Sequence, residues 1–313
     1  MELVFRNSQH YLHSLIDEDQ CPASSLKLLG QPLIVRNIST ASSLLDIDTV
    51  MLPDTASSTI NLLQEKFPSI NIEKFNDNAL IQDPSDSGVV ICGNESIEIP
   101  INSLVRSSFS TISNGNKNNT LLIDSIVYPW DFLNAIKRIL SEEVKHTKIS
   151  SNASVAKTSI IEGPCIIEDD VVIDDFSKIK GPTYISSGSF IGMSSLIRNC
   201  MIGNNSQIGF NCEIAKSYFA GYDKIAHQNV ILDSILGENV WFGGYSGTAN
   251  VLLTRKNIRY DIGDGRSMDT GTNHFGAVVG NNCAIGASVI ILPGKQIPSH
   301  SIIQAGTIFG KKT

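Results

Sequence analysis

The sequence predicts two domains: an α/β domain over residues 1–146, then an all-β parallel β-helix of hexapeptide repeats over residues 147–313. Three observations carry this. Ile149, Val155, Ile161, Ile167, Ile173, Ile179, Ile185, Ile191 and Ile197 fall six residues apart without a miss, with small or polar residues between them. Neither a 3.6-residue helix nor a two-residue alternation produces that spacing, whereas a hexapeptide period is the mark of a β-helix. Upstream, short apolar strand-like runs alternate with helical patterns, as in an α/β domain. At 313 residues and 42% hydrophobic composition, the chain can fill two cores.

Taken in order, Glu2–Phe5 reads as a strand, and Gln31–Arg36 leads into a helix. Asp48–Met51 and Gly88–Cys92 read as buried strands, the latter through its Val-Val-Ile-Cys run. Ser57–Phe67 has helical spacing through Ile60, Leu63 and Lys66, and Pro68 ends it. Ser110–Thr120, rich in Ser, Asn and Gly, reads as a flexible loop, and Leu121–Val127 as a strand. Pro129 precedes a helix over Trp130–Val144, whose stripe of Phe132, Leu133, Ile136 and Ile139–Leu140 leads into the first hexad.

After Ile197 the period steps five to Ile202, then six to Ile208 and Ile214. A wider step reaches Ile225; Ile231, Leu236, Phe242 and Thr248 follow, and the period then stops. It resumes at Val279, Ile285, Ile291, Ile297 and Ile303, with Phe309 last. The gap at 251–277 is polar and carries Arg255, Lys256, Arg259 and Arg266 with three Asp, so we expect an insertion emerging on one face, the binding face. Asn and Gly within hexads, such as Gly203-Asn-Asn205, are expected at turns that tolerate left-handed backbone.

Net charge of −7 disfavours nucleic acid, whose binding rests on phosphate neutralisation. No apolar run approaches the ~20 residues a membrane helix needs, and the N-terminus lacks a basic-then-apolar secretory layout. Six scattered cysteines with no CxxC pair read as reduced thiols rather than disulfides or a zinc site. The expectation is a soluble cytoplasmic protein without nucleic-acid, membrane or metal partners.

Two N-terminal segments resemble sugar-1-phosphate nucleotidylyltransferases: Pro22-Ala-Ser-Ser-Leu-Lys-Leu-Leu-Gly-Gln-Pro-Leu-Ile34 and Tyr128-Pro-Trp-Asp-Phe132. In that family a glycine-rich loop with an arginine precedes the first segment and cradles triphosphate on backbone N–H groups. Here the first glycine is Gly30, and Ala23 stands where the family has lysine. The resemblance implies a truncated, nucleotidyltransferase-like remnant serving as a structural or docking element.

The hexad half is similar to the acetyltransferase half of bifunctional sugar-1-phosphate nucleotidylyltransferase/amino-sugar-1-phosphate acetyltransferases, particularly their archaeal branch. The ordered string runs Ser195-Leu-Ile-Arg-Asn-Cys-Met-Ile-Gly-Asn-Asn205, Lys224-Ile-Ala-His-Gln-Asn229, Asp233-Ser, Gly237-Glu-Asn-Val240, Thr248-Ala-Asn250, Lys256-Asn257, Asp269-Thr-Gly271, Phe275-Gly-Ala277, Gly280-Asn and Pro293-Gly294. The resemblance implies a left-handed β-helix, a homotrimer, acetyl-CoA as co-substrate and an amino-sugar phosphate as acceptor. By match, His227 is the general base, a role suited to an imidazole. Asn250 orients the reacting acyl group, and Arg198 holds the sugar's phosphate, as a guanidinium can do in a bidentate fashion. Lys216, Trp241 and Lys256 line the acceptor side. Coenzyme A follows Phe242–Gly244, Gly286–Ala287 and Gln304–Gly306, with Gly244, Ala287 and Ala305 as contacts. His274 stands where archaeal relatives carry lysine and is a further candidate contact.

Three departures bear on the acceptor. Ala215 replaces the family's lysine twelve residues before the histidine, with Lys216 beside it; in an extended segment that shift turns a side chain to the opposite face. Val230 replaces a tyrosine and Trp241 an asparagine. A non-catalytic trimeric assembly or regulatory protein is therefore the alternative. Arg198 precedes His227 by about one and a half coils, so the two are expected to meet only through register corrections or across a trimer interface.

Overall fold

The computed structural model describes residues 1–6, 12, 26–75, 89–92, 96–113 and 116–311. They form two compact units, the first reaching Asp131 and the second starting at Phe132.

In the first unit the central strand Glu2–Arg6 pairs in parallel with Thr49–Pro53 on one side and Ser96–Pro100 on the other, and Asn71–Phe75 extends the sheet. Parallel neighbours need crossovers. These contain helix α1 (Leu33–Leu44) and helix α2 (Ile60–Lys66), the latter preceded by a 3₁₀ segment at Asp54–Thr59. Leu3, Phe5, Val50, Leu52, Ile97 and Ile99 meet Ile34, Ile38, Ala41 and Leu63 in one core. Asn37, fully buried on α1, donates Nδ2–H to Ser103 O at 2.6 Å and accepts the Val105 N–H at 2.9 Å, joining helix to strand.

One expectation fails here. Ser110–Thr120 is not a loop: Ser103–Ser113 and Asn116–Ser125 are antiparallel strands with Ser113 opposite Asn116. The missed signal is Asn114-Gly115 between two runs containing Thr and Ile, the pair that two-residue hairpin turns demand. Of the Gly88–Cys92 strand, Val89–Cys92 is described, and of the Pro22–Ile34 segment, the part from Leu26.

Helix α3 (Pro129–Glu143) belongs to the second unit from Phe132 onward. Asp131 in its first turn accepts the N–H of Tyr128 at 2.9 Å and of Val127 at 3.2 Å, satisfying donors at the helix start. Phe132 packs edge-on against Tyr218, 4.8 Å between ring centroids. The chain then winds through eight coils of three short strands each, giving three eight-stranded parallel sheets, the faces of a left-handed β-helix.

The aliphatics of the hexad series from Val155 onward take the inward position, while Ile149, at the open end of the stack, is exposed. The first face stacks Ile167, Ile185, Ile202, Phe219, Leu236, Val279 and Ile297; the second stacks Ile173, Ile191, Ile208, Ile225, Phe242 and Ile285; the third stacks Ile179, Ile197, Ile214, Ile231, Thr248 and Ile291. Phe219 fills the wide step seen after Ile214. The five-residue step thus recurs at one corner, at Ile202, Phe219 and Leu236, and shortens three successive coils by one residue each without breaking register.

Corners follow the expected turn chemistry: Asn199, Asn205, Asn211, Gln228, Asn239 and Asn282 all have φ between 54° and 57°. Small hydroxyls tie coil to coil. Ser195 Oγ accepts the Cys212 N–H at 3.0 Å, Ser217 Oγ that of Ser234 at 3.1 Å, and Ser234 Oγ that of Ala277 at 3.0 Å.

The insertion contains an antiparallel hairpin, Arg259–Gly263 with Arg266–Asp269. Its root is packed: Ile258, Tyr260 and Phe275 are buried, and Tyr260 donates its O–H to Gln296 Oε1 at 2.9 Å. The charged residues Arg255, Lys256, Arg259 and Arg266 remain exposed.

Candidate functional site

The β-helix turns sequence positions into columns. Two residues past the inward aliphatic of the second face lies a corner, occupied on successive coils by His227, Gly244, Ala287 and Ala305. His227, Ala287 and Ala305 are exposed. The His227 carbonyl accepts the N–H of Tyr245 at 3.0 Å, and the Gly244 carbonyl that of Ser288 at 2.9 Å, which fixes the column. Below the imidazole no side chain in it exceeds a methyl group. Phe210 precedes His227 in the column, and Tyr245 flanks it from the next coil, both exposed.

The corner at the far end of the third face holds a second column: Lys216, Asp233 and Asn250, each two residues past Ile214, Ile231 and Thr248. This corrects the argument about Lys216. Ala215 ends its strand and is buried, but Lys216 sits on the turn with φ 50° and is exposed. It shares the corner with Asn250 rather than facing the opposite side of a strand. Asn250 donates Nδ2–H to Asp233 Oδ2 at 2.5 Å.

Arg198 ends a third-face strand, two coils before the one that carries His227. Its guanidinium, half-buried, pairs with Glu213 on the next coil at 2.5 Å. On the same face Glu162 bridges Lys178 and Lys180, and these ammonium groups hold its carboxyl below the usual range. Trp241 stands exposed on the second face beside Lys224. Lys256 is exposed in the insertion, and His274 Nδ1 lies 2.7 Å from Asn273 Oδ1.

Within one chain the sequence-predicted residues therefore form two groups. His227 with Gly244, Ala287 and Ala305 lies at one end of the third face, and Asn250 and Lys216 lie at the other. Strand rise makes that corner-to-corner distance roughly 15 Å. Arg198 and His227 do not converge through the five-residue steps. Sequence reasoning missed Asp233 and Glu213 as the partners of Asn250 and Arg198; the corner register, read coil by coil, was the signal for Asp233.

Burial disfavours the thiolate form of the cysteines inside the coils. It pushes the Cys165 thiol up to about 11 and the Cys200 thiol up to about 12, and Cys165, Cys200, Cys212 and Cys283 are free. Among the described residues no cluster of His, Cys, Asp or Glu is suited to a metal ion, and no helix is long and apolar enough to cross a membrane.

Residues 144–262 match the family model described as the GMPPB C-terminal domain. The bifunctional protein GlmU of Methanococcus maripaludis (strain C7) is 44% identical over 187 residues, covering 59% of this chain and 44% of that protein. The bifunctional sugar-1-phosphate nucleotidylyltransferase/acetyltransferase of Sulfurisphaera tokodaii is 28% identical over 99 residues, covering 32% of this chain and 24% of that protein. The chain spans less than half the length of these curated relatives. A solved UDP-N-acetylglucosamine acyltransferase aligns over 51% of this chain and 70% of its own at 16% identity, with a TM-score of 0.35. By its ordered motifs and these relatives, the chain resembles the archaeal bifunctional sugar-1-phosphate nucleotidylyltransferase/acetyltransferase family.

Proposed function

We propose that the β-helix is an acetyl-CoA-dependent acetyltransferase acting on an amino-sugar phosphate, glucosamine-1-phosphate-like, in nucleotide-sugar biosynthesis. The observation that carries it is the column of His227 above Gly244, Ala287 and Ala305. An imidazole heads a corner groove stripped of side chains, which suits a long, thin acyl carrier lying across the coils. His227 takes the proton from the acceptor's amine as nitrogen attacks the thioester carbonyl. The C–S bond then breaks, and the protonated His227 returns its proton to sulfur, so coenzyme A leaves as its thiol.

Asn250, which orients the acyl group, and the acceptor-side groups lie one face away, so the complete site needs a second copy: His227 of one subunit faces Asn250, Arg198, Lys216 and Lys256 of its neighbour in a homotrimer. Arg198 takes the sugar's phosphate by exchanging Glu213 for it, and Trp241 forms an apolar wall. The free cysteines fit a reduced, cytoplasmic setting. The N-terminal unit serves as a structural or docking element.

A second reading, a non-catalytic trimeric assembly or regulatory protein, draws on exposed Val230 and Trp241 at acceptor positions and on the Arg198–Glu213 pair. One experiment separates the two: thiol release from acetyl-CoA in the presence of glucosamine-1-phosphate, with thermal shifts measured for each ligand alone. Turnover supports the enzyme. A protein that neither turns over nor is stabilised by acetyl-CoA supports the second reading.

A further inference from the structure

We propose that Asp233 is a positioning residue that sets the carboxamide of Asn250 for the reacting acyl group and the root of the insertion, with Lys256, for the acceptor; this rests on the acetyltransferase reading above. Asp233 and Asn250 hold the same corner position on consecutive coils, joined by the Nδ2–H to Oδ2 bond at 2.5 Å. A carboxylate only accepts, so it turns the amide nitrogen toward itself and leaves Oδ1 and the second N–H directed at a ligand. Without that partner the amide flips between two near-isosteric states. Asp233 adopts φ 45°, a conformation Asp tolerates, and so stands at the turn itself.

The main chain makes the same residue a clasp. Gly276 donates its N–H to Asp233 O at 2.8 Å, and Phe275 donates to Asn250 O at 3.0 Å. Ala277 donates to Ser234 Oγ at 3.0 Å, and that hydroxyl also bonds Thr248 Oγ1 at 2.8 Å. The chain leaves the coils at Asn250 and returns at Phe275–Ala277, so both roots of the insertion are fastened to Asp233-Ser234. Lys256 lies six residues past Asn250 in that insertion. The coenzyme A column belongs to the other corner and shares none of these bonds.

The test uses the full chain with Asp233→Ala, Asp233→Asn, Asn250→Ala and the Asp233→Ala/Asn250→Ala double variant. Steady-state transfer from acetyl-CoA to glucosamine-1-phosphate is measured alongside acetyl-CoA affinity by calorimetry. Asp233→Ala should lower kcat/KM for the amino sugar roughly 10–100-fold, the worth of a charge-assisted hydrogen bond, with acetyl-CoA affinity within about twofold. Asp233→Asn, whose own carbonyl still accepts, should recover most of the loss. In the Asn250→Ala background Asp233→Ala should have little further effect, the mark of coupled residues. Should Asp233→Ala not fold, Asp233→Gly, which lacks the acceptor and tolerates the positive φ, completes the cycle in both backgrounds. Parallel losses in acetyl-CoA affinity and turnover, additive effects, or an unimpaired Asp233→Ala enzyme overturn the proposal alone. A wild-type protein that acetylates no amino-sugar phosphate overturns the acetyltransferase reading and takes this proposal with it.

Discussion

His227 and Gly244 are stacked on consecutive coils so that a Cβ built on Gly244 would meet only the His227 carbonyl oxygen, at 3.5 Å. The space beneath the imidazole is therefore open, and it is bounded by backbone. His227→Ala is expected to leave acetyl-CoA binding intact while cutting turnover roughly 10²–10⁴-fold, the usual contribution of a positioned acid–base group. Equal rates for wild type and variant would remove His227 from the chemistry.

Adjacent glycines should respond differently. Gly244→Leu fills open space, so it should fold with a near-native midpoint and weaken acetyl-CoA at least about tenfold by blocking the groove. At Gly243 a Cβ would lie 2.6 Å from Ala287 N, against backbone that cannot move away. Gly243→Ala should therefore lower stability by about 1–3 kcal/mol, the usual cost of overpacking. Urea unfolding of both variants checks the contrast.

Exposed apolar side chains line two neighbouring faces: Val172, Trp241 and Ile302 on the second, and Ile160, Val230, Ile290 and Ile308 on the third. Ile290 and Ile308 lie on adjacent coils of the third face, while Lys224 and Glu213 interrupt the columns elsewhere; cyclic closure covers such exposed apolar positions without an open end. Sedimentation at micromolar concentration should give about three times the 33.9 kDa chain mass. Val230→Glu should shift the population toward monomer and abolish turnover together. A wild-type monomer would sink the shared-site arrangement.

Asp223 lies wholly buried in a corner, accepting the Val240 N–H at 2.9 Å and the Gly221 N–H at 3.2 Å. Burial, aided by nearby Glu238, raises its carboxyl well above the usual range. The folded state thus holds a proton that the unfolded chain releases near pH 4. The stability this contributes is complete below that pH and is lost as pH rises through the higher folded-state value. Ser189 and Ser206 hold the same position on the two preceding coils. Asp223→Ser should keep the fold and flatten this part of the profile, read as unfolding free energy at pH 4, 6 and 8. An unchanged slope would mean that another group is responsible.

Residues 1–146 are expected to transfer no nucleotide, because residues 1–29 hold no glycine to form a phosphate cradle. Pyrophosphate release from a nucleoside triphosphate and a sugar phosphate should stay at buffer level. Release that disappears on deleting residues 1–146 would contradict this.

The hexad period, the inward aliphatics and the place of the insertion were legible in the amino-acid string, because one inward position per strand accepts only apolar side chains and so leaves a one-dimensional trace. The α2 and α3 helices were legible through their apolar spacing, whereas for α1 only its start was read, at Gln31–Arg36. What faces what was not. Arg198 and Glu213, or Asp233 and Asn250, are fifteen and seventeen residues apart in sequence, and their contact depends on the length of each coil. The five-residue corner step decides that length, and Phe219 had to be seen inside the stack before the step could be recognised as recurrent. The hairpin at Ser103–Ser125 was hidden by polar composition, since strand pairing is made by main-chain groups that Ser and Asn supply as well as Val or Ile. Only the folded coils set His227 and Asn250 at opposite ends of one face, because the third face stands between the two corners.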